Sequence, residues 1–171
     1  IERLVFKTPR TSASDLVSAI ADAVAELSKK YSFDCIGVAV AGLVNRRLGQ
    51  VAFSPHLPLQ HSDFRAAIEQ ATGLRTDIDN DATAAMLAEW TFGAANGRQE
   101  AIMISIGTGL GGATVLGGAL QRGFNGMASE IGHQRFVPEG RLCGCGMLGC
   151  WETYASGQVL DRWAKDSLAA N

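Results

Sequence analysis

Three cysteines and one histidine in the last third of the chain have the spacing of metal ligands. Cys143, Cys145 and Cys150 lie within eight residues, and His133 precedes the first of them by ten positions. Three thiolates and one imidazole form the ligand set of a closed tetrahedral zinc site, which has no open position for a catalytic water. The alternative is a set of unrelated buried cysteines beside a surface histidine. The pattern favours a zinc site that orders the loop around it.

A run of carboxylates could carry acid–base chemistry. The segment Asp77-Ile78-Asp79-Asn80-Asp81 lies where a predicted strand runs into a predicted helix. In open α/β sheets, ligands bind outside the carboxyl ends of the strands. A carboxylate there can accept a proton from a substrate hydroxyl, and the Asn80 amide can bind a second hydroxyl. Asn and Asp are also preferred helix caps, so capping stays an alternative explanation.

A glycine-rich segment occupies residues 106–112, with the sequence Ile-Gly-Thr-Gly-Leu-Gly-Gly. Glycines let backbone N–H groups approach phosphate oxygens, and Thr108 adds a hydroxyl donor. The segment is not a P-loop, which needs Gly-Lys-Ser/Thr, and no predicted helix follows it as a dinucleotide fingerprint would require. A plain glycine hairpin explains it equally well.

Two glutamates flank the cysteine motif. Glu130 precedes His133 by three residues, and Glu152 follows Cys150 by two, at the start of a predicted helix. A glutamate at a helix start is favourable through the helix dipole alone. A fixed distance from a metal ligand would also make Glu152 a well-positioned substrate contact. The other ring nitrogen of His133 could bind either a ligand or a backbone carbonyl.

The composition excludes several classes of function. The 171 residues are 47% hydrophobic and 19% charged, which is typical of a globular protein. The net charge is −2, and no run of Lys and Arg exceeds two residues, so the sequence gives little support to binding nucleic acid or an anionic membrane. The long uncharged stretch at 101–121 contains six glycines and is predicted as two strands and a turn, not as a membrane span.

The elements that must position these residues alternate between strand and helix, which is typical of an α/β layered domain. The predicted strands are 3–7, 35–41, 51–53, 75–78, 101–106 and 113–116, and the predicted helices are 14–31, 64–72, 82–92 and 151–168. A capping-box pattern at Ser12 and Asp15 precedes the first helix, and Gly73 ends the second. Gly117-Gly118 predicts a hairpin turn.

The segment 93–97, Gly-Ala-Ala-Asn-Gly, predicts a hinge between two domains. Residues 1–93 would form an N-terminal α/β domain with Asp81, and residues 98–171 the start of a second α/β domain with the glycine turn and the zinc loop. Residues 123–150 show no periodicity and are predicted as a loop. Cys35 is predicted as a core residue. Further predicted buried positions are Tyr154, Val159, Trp163 and Leu168.

Taken in order, the motifs resemble those of the ROK family (repressor, open reading frame, kinase). The motifs are the glycine turn, Glu130-Ile-Gly-His133, and Cys143-Gly-Cys-Gly-Met-Leu-Gly-Cys-Trp-Glu152-Thr-Tyr-Ala-Ser-Gly. Within that family the similarity is greatest to bacterial glucokinases. The resemblance implies a two-domain α/β architecture of the actin/hexokinase/Hsp70 type, related to ribonuclease H, with sugar and ATP in the interdomain cleft.

The resemblance also implies a reaction and its residues. A hexose would be phosphorylated by ATP with Mg²⁺, glucose giving glucose 6-phosphate, and Asp81 would be the catalytic base. The implied sugar-binding residues are Gly42, Asn80, Asp81, Glu130, His133 and Glu152. The implied ATP-binding residues are Ile106, Gly107, Thr108, Gly109, Leu110, Gly111, Gly112 and Ala113. The implied ligands of a structural Zn²⁺ are His133, Cys143, Cys145 and Cys150.

The chain also departs from the family pattern. Members are about twice as long, begin with an Asp-x-Gly-Gly-Thr phosphate loop and carry a C-terminal adenosine-binding glycine motif. Neither motif has a counterpart here, so we expect a central fragment, truncated at both ends and inactive as a kinase by itself. The alternative function is the sugar-sensing, dimerising part of a ROK transcriptional repressor. A cytoplasmic homodimer is expected, and the sequence names neither the sugar nor the donor, ATP or polyphosphate.

Overall fold

The computed structural model describes residues 2–169, and the chain divides into two compact units, Ile1–Asp81 and Ala82–Asn171. The first unit contains the helices α1 (Ala13–Ser28) and α2 (Phe64–Thr72) and the strands β1 (Cys35–Val40), β2 (Leu43–Asn45), β3 (Gln50–Phe53), β4 (Gln60–Ser62) and β5 (Arg75–Asn80). The second contains most of α3 (Asp81–Phe92), the strands β6 (Ala101–Ile106), β7 (Leu110–Leu116) and β8 (Ala119–Leu120), a 3₁₀ turn (Ile131–His133), α4 (Glu152–Ala155) and α5 (Gly157–Ala169).

In the first unit, β1 and β5 form a parallel pair, as expected for an α/β domain, and β2, β3 and β4 form a separate antiparallel sheet. The side chains at alternate positions of β1, Ile36, Val38 and Val40, pack against a core that includes Leu16 of α1 and Ile68 of α2. Because side chains alternate across a strand, the residues between them lie on the opposite face.

Cys35 lies on that opposite face and is exposed, so its prediction as a core residue is wrong. The predicted strand at 3–7 is also wrong: within residues 2–169 this segment pairs with no strand, and Val5 and Phe6 are exposed. A β-branched, aromatic segment forms a strand only where a partner strand accepts its hydrogen bonds, and local sequence does not report that partner.

Local signals fixed the ends of the helices in this unit. Ser12 caps α1, because its hydroxyl accepts a hydrogen bond from the Asp15 backbone N–H at 3.1 Å. Gly73 ends α2 in the left-handed conformation at φ 70°. The N-cap at Ser12 and the glycine stop are therefore confirmed, although α1 ends at Ser28, three residues before the predicted end.

In the second unit, β6, β7 and β8 form an antiparallel sheet. Gly117 and Gly118 both have positive φ and connect β7 to β8, which confirms the predicted hairpin turn. Met86 of α3 is buried against Ala113 and Val115 of β7, which is why this helix belongs to the second unit. The boundary between the units therefore lies at the start of α3, whereas the predicted hinge at 93–97 follows the end of this helix. The hinge itself stays a prediction.

The last part of the chain is irregular up to Cys150, as predicted, apart from the short 3₁₀ turn and two isolated bridges, Arg135 to Cys150 and Leu142 to Leu148. The helix predicted over 151–168 is two helices, because the backbone is extended at Ser156. Val159 is buried as predicted, but Trp163 and Leu168 are exposed. No helix within residues 2–169 has the length and apolar character needed to cross a membrane.

Candidate active site and metal centre

Asn80 connects two other predicted site residues, Gly42 and Asp81, at the carboxyl edge of the β1–β5 pair. The strands are parallel with Val40 opposite Asn80, so the segments that follow them leave the sheet at the same edge. The Asn80 side-chain amide donates hydrogen bonds to the carbonyl oxygen of Gly42 and to Oδ1 of Asp81, both at 3.1 Å. Asp81 is exposed and begins α3. The structure therefore brings Gly42, Asn80 and Asp81 together.

Gly42 needs to be glycine at this edge. Its φ is 148°, and a Cβ there would lie 2.5 Å from the carbonyl oxygen of Phe53. The buried hydroxyl of Ser54 fixes the same segment by donating to the Ala41 carbonyl at 2.7 Å. Sequence reasoning missed Ser54; a serine directly after a predicted strand and before Pro55 was the available signal.

The three carboxylates of the acidic run differ in their partners. Asp77 forms an ion pair with Arg46, and the Arg46 Nε atom lies 4.0 Å from Oδ2 of buried Asp79. Oδ1 of Asp79 also accepts the Asn80 backbone N–H at 3.0 Å. Asp77 and Asp79 therefore help to hold the strand end, whereas Asp81 carries its carboxylate at the exposed start of the next helix. Arg46 was not found from sequence, since nothing in its local pattern distinguishes it.

The glycine turn is a tight connection between β6 and β7. Ile106 pairs with Leu110, and the Gly107 N–H donates to the Gly109 carbonyl at 3.0 Å. Gly107 and Thr108 are exposed. Since β7 begins at Leu110 and not at residue 113 as predicted, the turn itself is only residues 107–109, and the rest of the predicted phosphate-binding segment is strand.

An added Cβ would meet close neighbours at three glycines of this segment. A Cβ on Gly109 would lie 2.3 Å from Glu152 Oε2, one on Gly111 would lie 3.2 Å from Ala82 Cβ, and one on Gly112 would lie 2.3 Å from Ile131 Cδ1. Gly107, by contrast, has open space where its Cβ would be. Much of the glycine pattern therefore has a packing cause, and the exposed 107–108 corner is the part that can meet a ligand.

The Cys/His set converges as the spacing predicts. The ligand atoms of His133, Cys143, Cys145 and Cys150 all lie within 4.8 Å of one another. Cys143 Sγ is 3.5 Å from His133 Nδ1, and Cys145 Sγ is 3.6 Å from Cys150 Sγ. Zn–S bonds of about 2.3 Å in a tetrahedron place sulfurs about 3.8 Å apart. The donor set and its spacing therefore fit a tetrahedral metal ion.

Burial and hydrogen bonding together shift the pKa values of the three thiols in different directions. Burial, with the contacts to Cys145 and Cys143, raises the pKa of Cys150 to about 12. Burial also raises the pKa of Cys143. Burial acts in the same direction at Cys145, but hydrogen bonds from the Met147 backbone and from the two other thiols outweigh it and lower that pKa. Because metals bind thiolates, occupancy of this cluster is coupled to release of protons.

The two glutamates lie close to this cluster along the chain. Glu130 is exposed and precedes the 3₁₀ turn that carries His133, whose backbone N–H donates to the Glu130 carbonyl at 3.1 Å. Glu152 begins α4; its Oε2 accepts the Leu110 backbone N–H at 2.8 Å, and its Oε1 lies 3.9 Å from Cys143 Sγ. Glu152 therefore contacts both the glycine segment and the metal cluster.

Comparison with known proteins gives a consistent family and fold. The sequence profile of the ROK family matches residues 2–170. A glucokinase of Streptomyces coelicolor is 43% identical over 163 residues, which are 95% of this chain and 51% of the relative. A xylose repressor of Bacillus subtilis is 30% identical over 158 residues, which are 92% of this chain and 41% of the repressor. The chain thus spans about half the length of the curated relatives it matches.

A solved structure agrees in three dimensions. The crystal structure of a ROK family glucokinase from Streptomyces griseus in complex with glucose and AMPPNP matches with a TM-score of 0.89 and 43% identity, covering 96% of this chain and 52% of that one. The expected fold, that of the actin/hexokinase-type sugar kinases, is confirmed by this likeness.

Proposed function

Because the chain belongs to the ROK family, we propose that it is part of a sugar kinase that transfers the γ-phosphoryl group of ATP to a hexose, with glucose as the expected substrate. The similarity to a Streptomyces glucokinase over 95% of the chain supports this function. The related Streptomyces griseus glucokinase was crystallised with glucose and AMPPNP, which supports the same pair of ligands here. Because the relatives are about twice as long, the proposal concerns the protein that contains these residues.

The observation that carries the proposal is the arrangement of Asp81, Asn80 and Gly42. Asp81 begins a helix at the carboxyl edge of a parallel strand pair, beside an amide that is itself fixed to the Gly42 carbonyl. In the proposed step a sugar hydroxyl oxygen attacks the γ-phosphorus, the bond to the ADP oxygen breaks, and the hydroxyl proton passes to Asp81. General-base catalysis of this kind is worth about 10²–10⁴ in rate.

The second unit supplies the remaining proposed contacts. Within the predicted phosphate-binding segment 106–113, the exposed corner at Gly107 and Thr108 would bind ATP phosphates together with Mg²⁺. Glu130, His133 and Glu152 would hydrogen-bond the sugar hydroxyls. Phosphoryl transfer depends mainly on positioning and on charge stabilisation, so fixed contacts of this type contribute directly to the rate.

We propose a structural Zn²⁺ bound by His133, Cys143, Cys145 and Cys150. The set supplies four ligand atoms, so it is closed and leaves no position for a catalytic water. His133 faces Cys143 through Nδ1, and its Nε2 can then donate to a sugar hydroxyl. Bound zinc would contribute folding free energy to an irregular loop and fix the orientation of this imidazole.

The test is phosphoryl transfer by the longest reading frame that contains these residues. The purified protein is mixed with ATP and glucose, and glucose 6-phosphate is measured by a coupled assay. Mannose and N-acetylmannosamine are run in parallel to rank sugars, and polyphosphate is run in place of ATP. We expect turnover of glucose with ATP; no sugar phosphate from any pair would contradict the proposal.

A sugar-sensing repressor is the second candidate, supported by the xylose repressor that is 30% identical over 92% of the chain. It would need sugar binding but no proton acceptor, so Asp81 favours the kinase. Calorimetric titration of glucose, together with the phosphorylation assay, distinguishes the kinase from the repressor. Sugar binding without phosphoryl transfer by the same preparation would favour the repressor.

A further inference from the structure

Both flanks of the metal cluster contact the start of β7. On the first flank, the 3₁₀ turn that carries His133 lies directly against the strand backbone. A Cβ on Gly132 would lie only 2.0 Å from the Leu110 carbonyl oxygen, and one on Gly112 would lie 2.3 Å from Ile131 Cδ1. The backbone of this turn at Gly132 therefore lies directly against the Leu110 carbonyl, and the Ile131 side chain packs over Gly112 of the strand.

The second flank holds both ends of the glycine turn. Cys150 is fully buried and precedes Glu152 by two residues, and Glu152 Oε2 accepts the Leu110 N–H at 2.8 Å. Just beyond α4, the Gly157 N–H donates to the Gly107 carbonyl at 2.8 Å. A Cβ on Gly157 would lie 2.6 Å from that same oxygen. The segment from Cys150 to Gly157 therefore hydrogen-bonds the turn at its first residue, Gly107, and at Leu110, just after its last residue.

We infer that metal occupancy of the Cys/His cluster positions the glycine turn, with Glu152 and Gly132 as the positioning residues that connect the two. The inference rests on the proposed function, since it assumes that the cluster binds Zn²⁺ and that the turn receives phosphate groups. It assigns Glu152 a task besides sugar contact. A metal ion that fixes His133 and Cys150 also fixes Gly132 on one side of Leu110 and Glu152 on the other.

The Leu110 amide is the direct reporter of this coupling. Its acceptor is a carboxylate, and hydrogen bonds to charged acceptors are stronger than those between neutral groups. Loss of such a bond raises the exchange rate of the amide hydrogen, because local opening then costs less. We expect at least about tenfold faster exchange at Leu110 when the contact is lost.

The experiment measures amide hydrogen exchange by NMR on the 171-residue chain loaded with Zn²⁺ alone, before and after chelation, with zinc quantified by metal analysis. Chelation should raise exchange at Leu110 and Gly157 by about tenfold or more. The Gly118 N–H, which donates to the Gln99 carbonyl at 2.9 Å at the far end of β7, is the internal control and should change far less.

Variants distinguish loss of the specific contacts to Leu110 from a general increase in the mobility of the loop. In the zinc-loaded protein, Glu152→Ala should raise exchange at Leu110, whereas Glu152→Gln keeps an oxygen acceptor and should restore most of the protection. Gly132→Ala should also raise it, because the added Cβ displaces the Leu110 carbonyl. Gly144→Ala is the matched control in the same loop, since open space surrounds its Cβ position.

Three results would overturn the coupling. They are unchanged exchange at Leu110 after a stoichiometric zinc ion is removed, failure of the cluster to bind zinc, and equal exchange in the Glu152→Gln and Glu152→Ala variants when both retain zinc. The glucose phosphorylation assay is independent of these readouts. A kinase with an uncoupled turn refutes only this inference, and a coupled turn in a protein without phosphoryl transfer refutes only the kinase.

Discussion

The first unit and the Cys/His loop are ordered by different means. Buried side chains form the core of the first unit: Leu16, Val40, Val44, Val51, Leu59, Phe64, Ile68 and Ile78. In the loop at 123–150, by contrast, Phe124, Phe136 and Leu142 are exposed to 99%, 63% and 71%. Burial of apolar surface explains the order of the first region. In the loop, four potential ligand atoms converge and glycines allow close backbone contacts, and the proposed metal ion would order it.

The largest difference between the regions should appear when metal is removed. Small zinc modules gain of the order of 10 kcal/mol of folding free energy when they bind the metal. This loop has few buried apolar side chains that could supply that free energy instead. We expect a chelator to change the emission of Trp151, which adjoins a ligand, while the first unit stays folded. All three tryptophans, Trp90, Trp151 and Trp163, belong to the second unit, so tryptophan fluorescence reports that unit alone.

The matched variants are Cys150→Ala, which removes a buried ligand, and Cys35→Ala, which removes an exposed cysteine of β1. Only the first should lose zinc and reproduce the fluorescence change. A loop that keeps its fluorescence and its amide protection without metal would show that packing alone orders it.

A cavity should destabilise the first unit and leave the loop intact. Ile68 has 0% exposure in the core, so Ile68→Ala should cost about 2–5 kcal/mol of unfolding free energy. Urea titration followed through the amide signals of β1 and β5 measures it. Ile68→Val is the graded control, with an expected loss of about 0.5–1.5 kcal/mol. Zinc content should be unchanged in both variants; loss of zinc from Ile68→Ala would contradict the separation of the two regions.

A smaller effect is expected where the first unit itself depends on a glycine. Gly42→Ala places a Cβ 2.5 Å from the Phe53 carbonyl oxygen at a φ of 148°, so it should cost about 1–3 kcal/mol and disturb Asn80. The control is Gly37→Ala in β1, where nothing lies within 4 Å of the added Cβ. The same urea titration compares them. Equal stabilities would mean that the Gly42 segment adapts without strain.

The sequence predicted those parts whose causes are local. Helix α2 was predicted with its observed ends because Phe64 opens an apolar face and Gly73 can adopt the left-handed conformation. The convergence of Cys143 and Cys150 was predictable because ligand spacing is a property of the nearby chain. The hydrogen bond from Asn80 to Gly42 spans 38 residues, and only its strand-to-helix position was visible in sequence.

The sequence failed where structure depends on distant neighbours. Leu4, Val5 and Phe6 have strand propensity, but strand formation needs a partner that the described chain does not provide. The exposure of Cys35 depends on which face of β1 receives α1 and α2, and a continuous apolar run does not encode that choice. The packing role of Gly112 became visible only from its contact with Ile131.

The most direct test of the proposed kinase is the substitution Asp81→Asn in the longest reading frame, compared with Asp77→Asn. Asp77 lies on the same strand end but is paired with Arg46, so its loss should change kcat by less than about threefold. Asparagine at 81 keeps hydrogen-bonding atoms but cannot accept the proton. We predict that glucose affinity changes little while kcat falls by about 10²–10⁴. A near wild-type kcat in Asp81→Asn would contradict the account and leave Asp81 as the start of a helix only.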